Sequence, residues 1–342
     1  MKKSTTVSIA GLLIFIFTGL NQAFADEVNL YSARKEALIK PLLDKFSDQT
    51  GVTVNLVTAA ADALLARLKS EGKLTPADVF ITVDAGRLHR ANKAELFQPI
   101  DSMILKSAIP VQYRDPDGVW FGLSLRARPI MYVKGKVDTA TLTRYEDLAD
   151  GRWKGRICIR SSGNIYNQSL VASMIAADGE TDTEKWAEGL VGNFGRSPAG
   201  GDRDQIKAAV AGECDIAIAN TYYLARMLND DKDDAQRMAA EKMAIIWPNQ
   251  DDRGAHVNVS GAGVIRHSRN KENAIRLLEF LVSDDSQKWY AEVNHEYPVK
   301  AGVEMSETLT LFGEFKADTV NLASLGEYNA SAVKLMDRAG WR

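Results

Sequence analysis

The stretch VNLYSARKEALIKPLLDKFSDQTGVTVNLV, residues 28–57, decides the fold class of this chain. It opens and closes with apolar residues at every second position, which is the spacing of a half-buried strand. Between these two runs, apolar residues recur at the spacing of one helix face: Ile39, Leu42, Leu43 and Phe46. A second helix pattern in residues 61–68 and the apolar run Val79–Val83 continue the order. Alternating strands and helices predict an α/β fold with a mostly parallel sheet flanked by helices.

The same strand and helix alternation restarts in the middle of the chain, so we expect two lobes. Residues 120–133 and 256–265 are rich in β-forming side chains and flank this second unit. Two chain segments that join two α/β units form a hinge, and these two are the predicted crossover strands. The predicted division assigns residues 1–25 to a cleaved signal peptide, 26–127 plus 260–301 to lobe 1, and 128–259 plus 302–342 to lobe 2.

The amino terminus has the pattern of a secretory signal peptide. Lys2 and Lys3 precede an apolar run from Val7 to Leu20, and Ala23-Phe24-Ala25 follows as a cleavage site. The apolar run is shorter than the roughly 20 residues of a membrane-spanning helix. No cysteine near the cleavage site could accept a lipid. We therefore expect a soluble, monomeric protein that is free in the periplasm.

Composition restricts the classes of partner. The chain is 45% hydrophobic and 25% charged, with a formal net charge of −3, and it has no basic block suited to nucleic acid. It also lacks a serine nucleophile elbow, a glycine-rich phosphate loop and a metalloprotease helix. A small solute is therefore the expected partner, and the chain is not expected to be an enzyme. A periplasmic α/β enzyme that uses tyrosines as acids stays open as an alternative.

Three tyrosines occupy positions where α/β sheets bind ligands. Tyr222 and Tyr223 directly follow the predicted strand 215–219, and Tyr166 follows the predicted strand 156–160 and a short polar turn. Each position precedes a predicted helix, and Asn220 or Thr221 could cap the second one. Ligands of open α/β sheets bind outside the carboxyl ends of strands, where helix N-termini favour negative charge. These tyrosines could bind a metal or line a sugar or amino-acid cleft.

A metal held by phenolate oxygens would be a hard, highly charged ion. A free tyrosine has a pKa near 10, so only a strong Lewis acid keeps three of them deprotonated at neutral pH. Ferric iron suits oxygen donors, whereas zinc and copper call for histidine and cysteine. None of the four histidines pairs with another at ligand spacing.

The two cysteines, Cys158 and Cys214, each lie eight residues before one of these tyrosines. In an oxidising compartment such a pair can form a disulfide. Two thiols buried in separate strands would give the same spacing, so both states remain open.

Several segments together resemble one family, the periplasmic ferric-binding proteins of iron(III) ABC transporters. The likeness covers essentially the whole mature chain and includes these segments: Asn29-Leu30-Tyr31-Ser32-Ala33-Arg34, Trp120-Phe121-Gly122, Tyr166-Asn167-Gln168-Ser169, Asn220-Thr221-Tyr222-Tyr223 and His256-Val257-Asn258-Val259-Ser260-Gly261. The two tyrosine-containing segments at 166–169 and 220–223 together are quite specific. The resemblance implies a two-lobed, type II periplasmic binding protein in which Tyr166, Tyr222 and Tyr223 bind Fe³⁺. It also implies an inner-membrane permease and an ATPase as partners. A binding protein for an organic solute, such as a polyamine, thiamine or a phosphonate, is the nearer alternative.

The first lobe departs from the family pattern. Relatives often supply a histidine there, sometimes with an adjacent tyrosine, but Lys35 and Glu36 occupy those positions here. Where some relatives have a ligating glutamate, this chain has Val83. Lobe 1 therefore supplies no metal ligand unless Glu36 turns inward, and Tyr31 is expected to be structural.

Charge counting indicates what could complete the metal site. Fe³⁺ with three phenolates is neutral but only three-coordinate, so further oxygen donors are needed. We expect a small anion such as carbonate, held by guanidinium groups that bind it with two hydrogen bonds. The candidate residues are Arg34, Arg126 and Arg128, each of which could instead form a salt bridge.

Overall fold

The computed structural model describes residues 26–342, and it has nine strands and thirteen α-helices in that part of the chain. The predicted signal peptide lies outside the described residues. In chain order, the first part contains β1 (Glu27–Ser32), α1 (Lys40–Thr50), β2 (Thr53–Thr58), α2 (Ala61–Glu71), β3 (Val79–Val83), α3 (Ala85–Lys93), α4 (Met103–Ala108) and β4 (Phe121–Ala127).

The middle of the chain forms a second set of elements. They are β5 (Ile130–Val133), β6 (Ile157–Cys158), α5 (Ile165–Gly192), α6 (Asp202–Ala211), β7 (Ile216–Ile218), α7 (Thr221–Leu228), α8 (Asp234–Glu241) and β8 (Met243–Ile246). The remainder contains β9 (Val257–Val264), α9 (Lys271–Leu281), α10 (Asp284–Val293), α11 (Glu307–Leu311), α12 (Ala323–Glu327) and α13 (Asn329–Arg338).

The opening stretch folds as its pattern predicts. The apolar residues of α1 that share one face, Leu42, Leu43 and Phe46, are all buried. The helix ends at Gly51, whose backbone is left-handed with φ 73°, a conformation that glycine adopts without steric cost. This end turns the chain directly into β2, which pairs in parallel with β1.

The strands form two separate mixed sheets. The first has the order β2-β1-β3-β9-β4 and the second has the order β6-β7-β5-β8. The two-lobed α/β fold is confirmed, but the prediction of mostly parallel sheets is wrong in detail. Only β1 with β2, β1 with β3, and β6 with β7 pair in parallel, and the other pairs are antiparallel. The reason is that β5 and β9 start at the hinge after crossing from the other lobe, so they run against strands that end on that side.

Two chain segments cross between the sheets, as predicted. The first is the short link between β4 and β5, which contains Arg128, and the second runs from β8 to β9 and contains His256. The backbone N–H of Arg128 donates to the carbonyl of His256 at 3.1 Å. The hydroxyl of Tyr145 donates to the Arg128 carbonyl at 2.7 Å and accepts from the His256 N–H at 3.2 Å. The two hinge segments are therefore hydrogen-bonded to each other, both directly and through the Tyr145 hydroxyl.

The carboxyl-terminal tail contacts both lobes. Helix α13 packs on α5 of the second lobe, while α12 packs on both α5 and α3 of the first. The approach of α12 to α3 requires Gly326, because a Cβ there would lie 2.1 Å from the Cβ of His89. The lobe boundaries given above stay a prediction, since sheet membership does not divide this tail. No helix within residues 26–342 combines the length and the apolar character needed to cross a bilayer.

Candidate functional site

The three tyrosines come together because their two parent strands are neighbours. Strands β6 and β7 pair in parallel, so both carboxyl ends lie at one edge of the second sheet. Tyr166 is in the first turn of α5, which follows β6, and Tyr222 and Tyr223 are in the first turn of α7, which follows β7. Both helix N-termini therefore direct their partial positive charge toward the same region.

The capping of the two helices differs from the prediction at one position. The side chain of Asn164 caps α5 by accepting a hydrogen bond from the N–H of Tyr166 at 3.2 Å. Asn220 occupies the corresponding N-cap position of α7, but its side chain makes no capping hydrogen bond. Its oxygen instead accepts from Arg128 at 3.0 Å.

A cavity of about 420 Å³ lies between the lobes, and all three tyrosines line it. The second lobe contributes Tyr166, Tyr222, Tyr223, Arg203 and Arg226, and the first contributes Ala33, Arg34, Lys35, Leu38, Val83, Arg126 and Glu296. The rings of Tyr222 and Tyr223 are in contact, with centroids 4.3 Å apart. The structure therefore brings the tyrosines to one interlobe site, together with two of the three predicted arginines.

Burial in the cavity opposes ionisation of the Tyr222 and Tyr223 hydroxyls at neutral pH. Burial raises the pKa of Tyr222 well above its ordinary value, and the neighbouring Tyr166 and Tyr223 raise it further. Burial, and then Tyr166, raise the pKa of Tyr223 to about 12. Each phenolate would repel the next, so only a cation between them could stabilise all three.

The first-lobe wall of the cavity is an internally paired charge cluster. Glu296 accepts hydrogen bonds from both Nη atoms of Arg34 at 3.1 Å, forms an ion pair with Arg126 at 3.2 Å, and accepts from Ser124. Burial alone would raise the pKa of Glu296, but the charges of Arg34 and Arg126 lower it to about 2. The cluster thus contains two cations and one anion, and it retains one net positive charge at the cavity.

Arg128 is placed differently from the other two predicted arginines. It does not line the cavity, its side chain is only 1% exposed, and it forms an ion pair with Asp202 at 3.0 Å. The structure therefore does not bring Arg128 to the position where an anion would bind.

The structure also places the other first-lobe positions singled out in the sequence. Lys35 and Val83 line the cavity, whereas Glu36 is exposed and is not among the lining residues. Tyr31 is buried in the first lobe, and its hydroxyl donates to Glu71 at 3.0 Å, which agrees with the structural role predicted for it. Within residues 26–342, no three or more His, Cys, Asp or Glu side chains are grouped so that they could hold a metal ion.

Three charged lining residues were missed by the sequence analysis: Arg203, Arg226 and Glu296. Arg226 had a usable signal, because it follows Tyr222 by four residues on α7 and so shares its helix face. Its guanidinium lies 5.1 Å from the Tyr222 ring centroid and donates to the carbonyl of Asn294, in the first lobe, at 3.1 Å. Glu296 had no local signal, because its partners come from distant parts of the chain.

A disulfide joins Cys158 and Cys214, with an S–S distance of 2.01 Å and a Cα–Cα distance of 5.9 Å. Cys158 ends β6, and Cys214 lies two residues before β7. The bridge therefore connects the two strands that lead into the tyrosine-bearing turns.

Comparison with known proteins places the chain among bacterial transport proteins. Residues 75–310 match the family described as bacterial extracellular solute-binding protein. The chain is 51% identical to Iron uptake protein A1 of Synechocystis sp. (strain ATCC 27184 / PCC 6803 / Kazusa), over 92% of this chain and 88% of that protein. It is 28% identical to the Fe(3+)-binding periplasmic protein of Serratia marcescens, over 98% of this chain and 96% of the relative. The solved structure of Trichodesmium IdiA (FutA), in complex with iron and citrate ligands, is 52% identical and superposes with a TM-score of 0.90, covering 92% of this chain and 100% of that one.

Proposed function

Since the chain belongs to the bacterial extracellular solute-binding proteins, and within them to the ferric-binding proteins, we propose that it binds Fe³⁺ in the periplasm and delivers it to an iron ABC transporter. The observation that carries this function is the interlobe cavity lined by Tyr166, Tyr222 and Tyr223. The similar proteins of Synechocystis and Serratia are named for iron uptake and Fe(3+) binding, not for catalysis. The enzyme alternative is therefore dropped.

The ferric ion is held by the three phenolate oxygens. Two helix N-termini face the site, and Arg126 lowers the pKa of Tyr222 against the larger effect of burial. Binding of a trivalent cation replaces three protons, which supplies the charge compensation that the buried hydroxyls lack. Phenolate oxygens are hard donors and therefore favour Fe³⁺ over softer divalent ions.

A small carbonate-like anion completes the coordination. Three phenolates neutralise the charge of Fe³⁺. The residues that line the cavity include four arginines but only one carboxylate, Glu296; the arginines are Arg34, Arg126, Arg203 and Arg226. The site with bound iron would therefore keep a positive excess, which an anion between the ion and the guanidinium groups would offset. Arg203 and Arg226 of the second lobe are the better placed pair to bind this anion. The other two arginines, Arg34 and Arg126, already form ion pairs with Glu296.

The transport partners follow from the family. A binding protein of an ABC system delivers its cargo to a permease and its ATPase, which recognise the closed form. We propose that the protein acts as a monomer, which light scattering of the purified protein would test.

The experiment that tests the function is a ferric titration of the apoprotein. Ferric phenolates absorb visible light by charge transfer, so a coloured band should grow to a plateau at one iron per chain. Tyr222→Phe and Tyr223→Phe should weaken the band and the affinity. Tyr328→Phe is the matched control, because Tyr328 is 38% exposed and does not line the cavity. If the native protein developed no band, a binding protein for an organic solute would become the better assignment.

A further inference from the structure

Arg128 lies at the junction between the hinge and the candidate site. Its backbone is in the first crossover segment, and its N–H donates to the carbonyl of His256 in the second at 3.1 Å. Its carbonyl accepts from the buried Tyr145 hydroxyl at 2.7 Å. The backbone of this residue is thus fixed to the hinge.

The guanidinium of Arg128 enters the second lobe and binds the elements that carry the tyrosines. Nη1 donates to Oδ1 of Asn220, which precedes Tyr222 by two residues, and to Oδ1 of Asp202, both at 3.0 Å. Nη2 donates to Oδ1 of Asn167, the residue after Tyr166, at 2.6 Å, and to the carbonyl of Ile218 at 3.2 Å. One buried side chain therefore joins the N-termini of α5, α6 and α7.

We propose that Arg128 is a positioning residue for iron binding, which holds the two tyrosine-bearing turns at the spacing that one ferric ion requires. The inference rests on the proposed function and extends it to a residue that does not touch the ion. Asn167 and Asn220 transmit the effect, because each lies within two residues of a tyrosine and each directs its side-chain oxygen at the guanidinium.

The planar guanidinium is suited to this task, and an ammonium group is not. Arginine presents its donors in a fixed fork, whereas lysine has a compact charge on a flexible stem. Four acceptors from three chain segments surround the fork here. Asp202 also binds Arg160 at 2.7 Å, so its buried carboxylate keeps one cation when Arg128 is replaced. Arg128→Lys should therefore fold while losing the defined spacing of the turns.

The test compares Arg128→Lys and Asn220→Ala with a matched control, Arg156→Lys. Arg156 lies at the opposite end of the same two strands, where it binds Asp215 at 2.6 Å and the carbonyl of Lys136 at 2.7 Å. For each protein, the ferric affinity, the visible band and the thermal unfolding midpoint of the apoprotein are measured. Residues that orient metal ligands typically contribute about 10- to 100-fold in metal affinity.

We expect Arg128→Lys and Asn220→Ala to lose affinity in that range and to shift the band maximum, because the phenolate geometry changes. Arg156→Lys should alter only the unfolding midpoint. The proposal is overturned if Arg128→Lys and Asn220→Ala both keep the native band maximum and affinity, or if they lose affinity only in proportion to stability with the band unmoved. If Arg128→Lys does not fold, Asn167→Ala is measured beside Asn220→Ala, because the Asn220 amide also donates to the Tyr222 hydroxyl at 3.5 Å. Both variants must then lose affinity for the proposal to stand. A native protein without any band would instead overturn the proposed function, so the two failures are distinguishable.

Discussion

The guanidinium of Arg226 lies 5.1 Å from the ring centroid of Tyr222, on the same face of α7, and it donates a hydrogen bond across the cleft to the first lobe. One residue therefore contacts a candidate iron ligand and also connects the two lobes. A cation in this position favours a phenolate and an anion nearby, and it favours the closed form.

Arg226→Met should therefore weaken ferric binding. A hydrogen bond to or from a charged group contributes about 1.5 to 3 kcal/mol, which corresponds to a loss of roughly 10- to 100-fold in affinity. Competition with a ferric chelator of known affinity measures the change. Arg237→Met, which removes a cation of α8 that does not line the cavity, should leave the affinity at the native value. Equal affinities for both variants would contradict a role for Arg226.

Iron binding should weaken steeply as the pH falls. Burial raises the pKa of Tyr222 and Tyr223, the latter to about 12, so both hydroxyls are protonated in the apoprotein at neutral pH. Each proton released on binding makes the affinity fall about tenfold per pH unit of acidification. A chelator competition series between neutral and acidic pH gives the number of protons released. An affinity independent of pH would rule out phenolate ligands.

Glu296→Gln should destabilise the apoprotein, because it leaves Arg34 and Arg126 buried without their carboxylate. Loss of one partner from a buried ion pair typically costs about 3 to 5 kcal/mol. The pKa of Glu296 is lowered from 4.5 to about 2, so its stabilising effect is complete above the unfolded-state value and is lost as the pH falls through about 2.

The unfolding midpoints of the native protein and Glu296→Gln should therefore differ most near neutral pH and converge in strong acid. Calorimetry at a series of pH values measures this. Glu304→Gln is a control at an exposed carboxylate, which pairs with Lys288 on the surface and should change the midpoint little. A difference that did not depend on pH would be inconsistent with ionised Glu296 as its source.

Loss of the disulfide should lower global stability. The bridge joins residues 56 positions apart, and closing a loop of that length in the unfolded chain corresponds to about 4 kcal/mol in the chain-entropy treatment. Denaturant unfolding of the oxidised protein and of the Cys158→Ala/Cys214→Ala double variant measures the difference. Coincident curves would show that the bridge does not constrain the unfolded state.

Local patterns predicted much of the fold and the position of the tyrosines. The apolar spacing located α1 and α2, and the order of strand, turn and helix placed Tyr166 and Tyr222 at the carboxyl ends of strands. Neighbouring parallel strands then bring these residues together, because the edge of a sheet collects the ends of its strands.

Long-range partners could not be predicted in the same way. Arg34 and Glu296 are 262 positions apart, and Arg128 binds residues 39, 74 and 92 positions away. Residue type alone does not tell a buried arginine with protein partners from one that faces a cavity. The antiparallel strands were missed for a related reason, because strand direction depends on which lobe the chain has just left.

The most direct measurement of the central claim is an anomalous difference map at the iron edge from crystals of the ferric-loaded protein. We expect one peak in the interlobe cavity, about 2 Å from the hydroxyl oxygens of Tyr166, Tyr222 and Tyr223. A peak outside the cavity, or one bonded to fewer than three of these oxygens, would contradict a ferric site built from the three tyrosines.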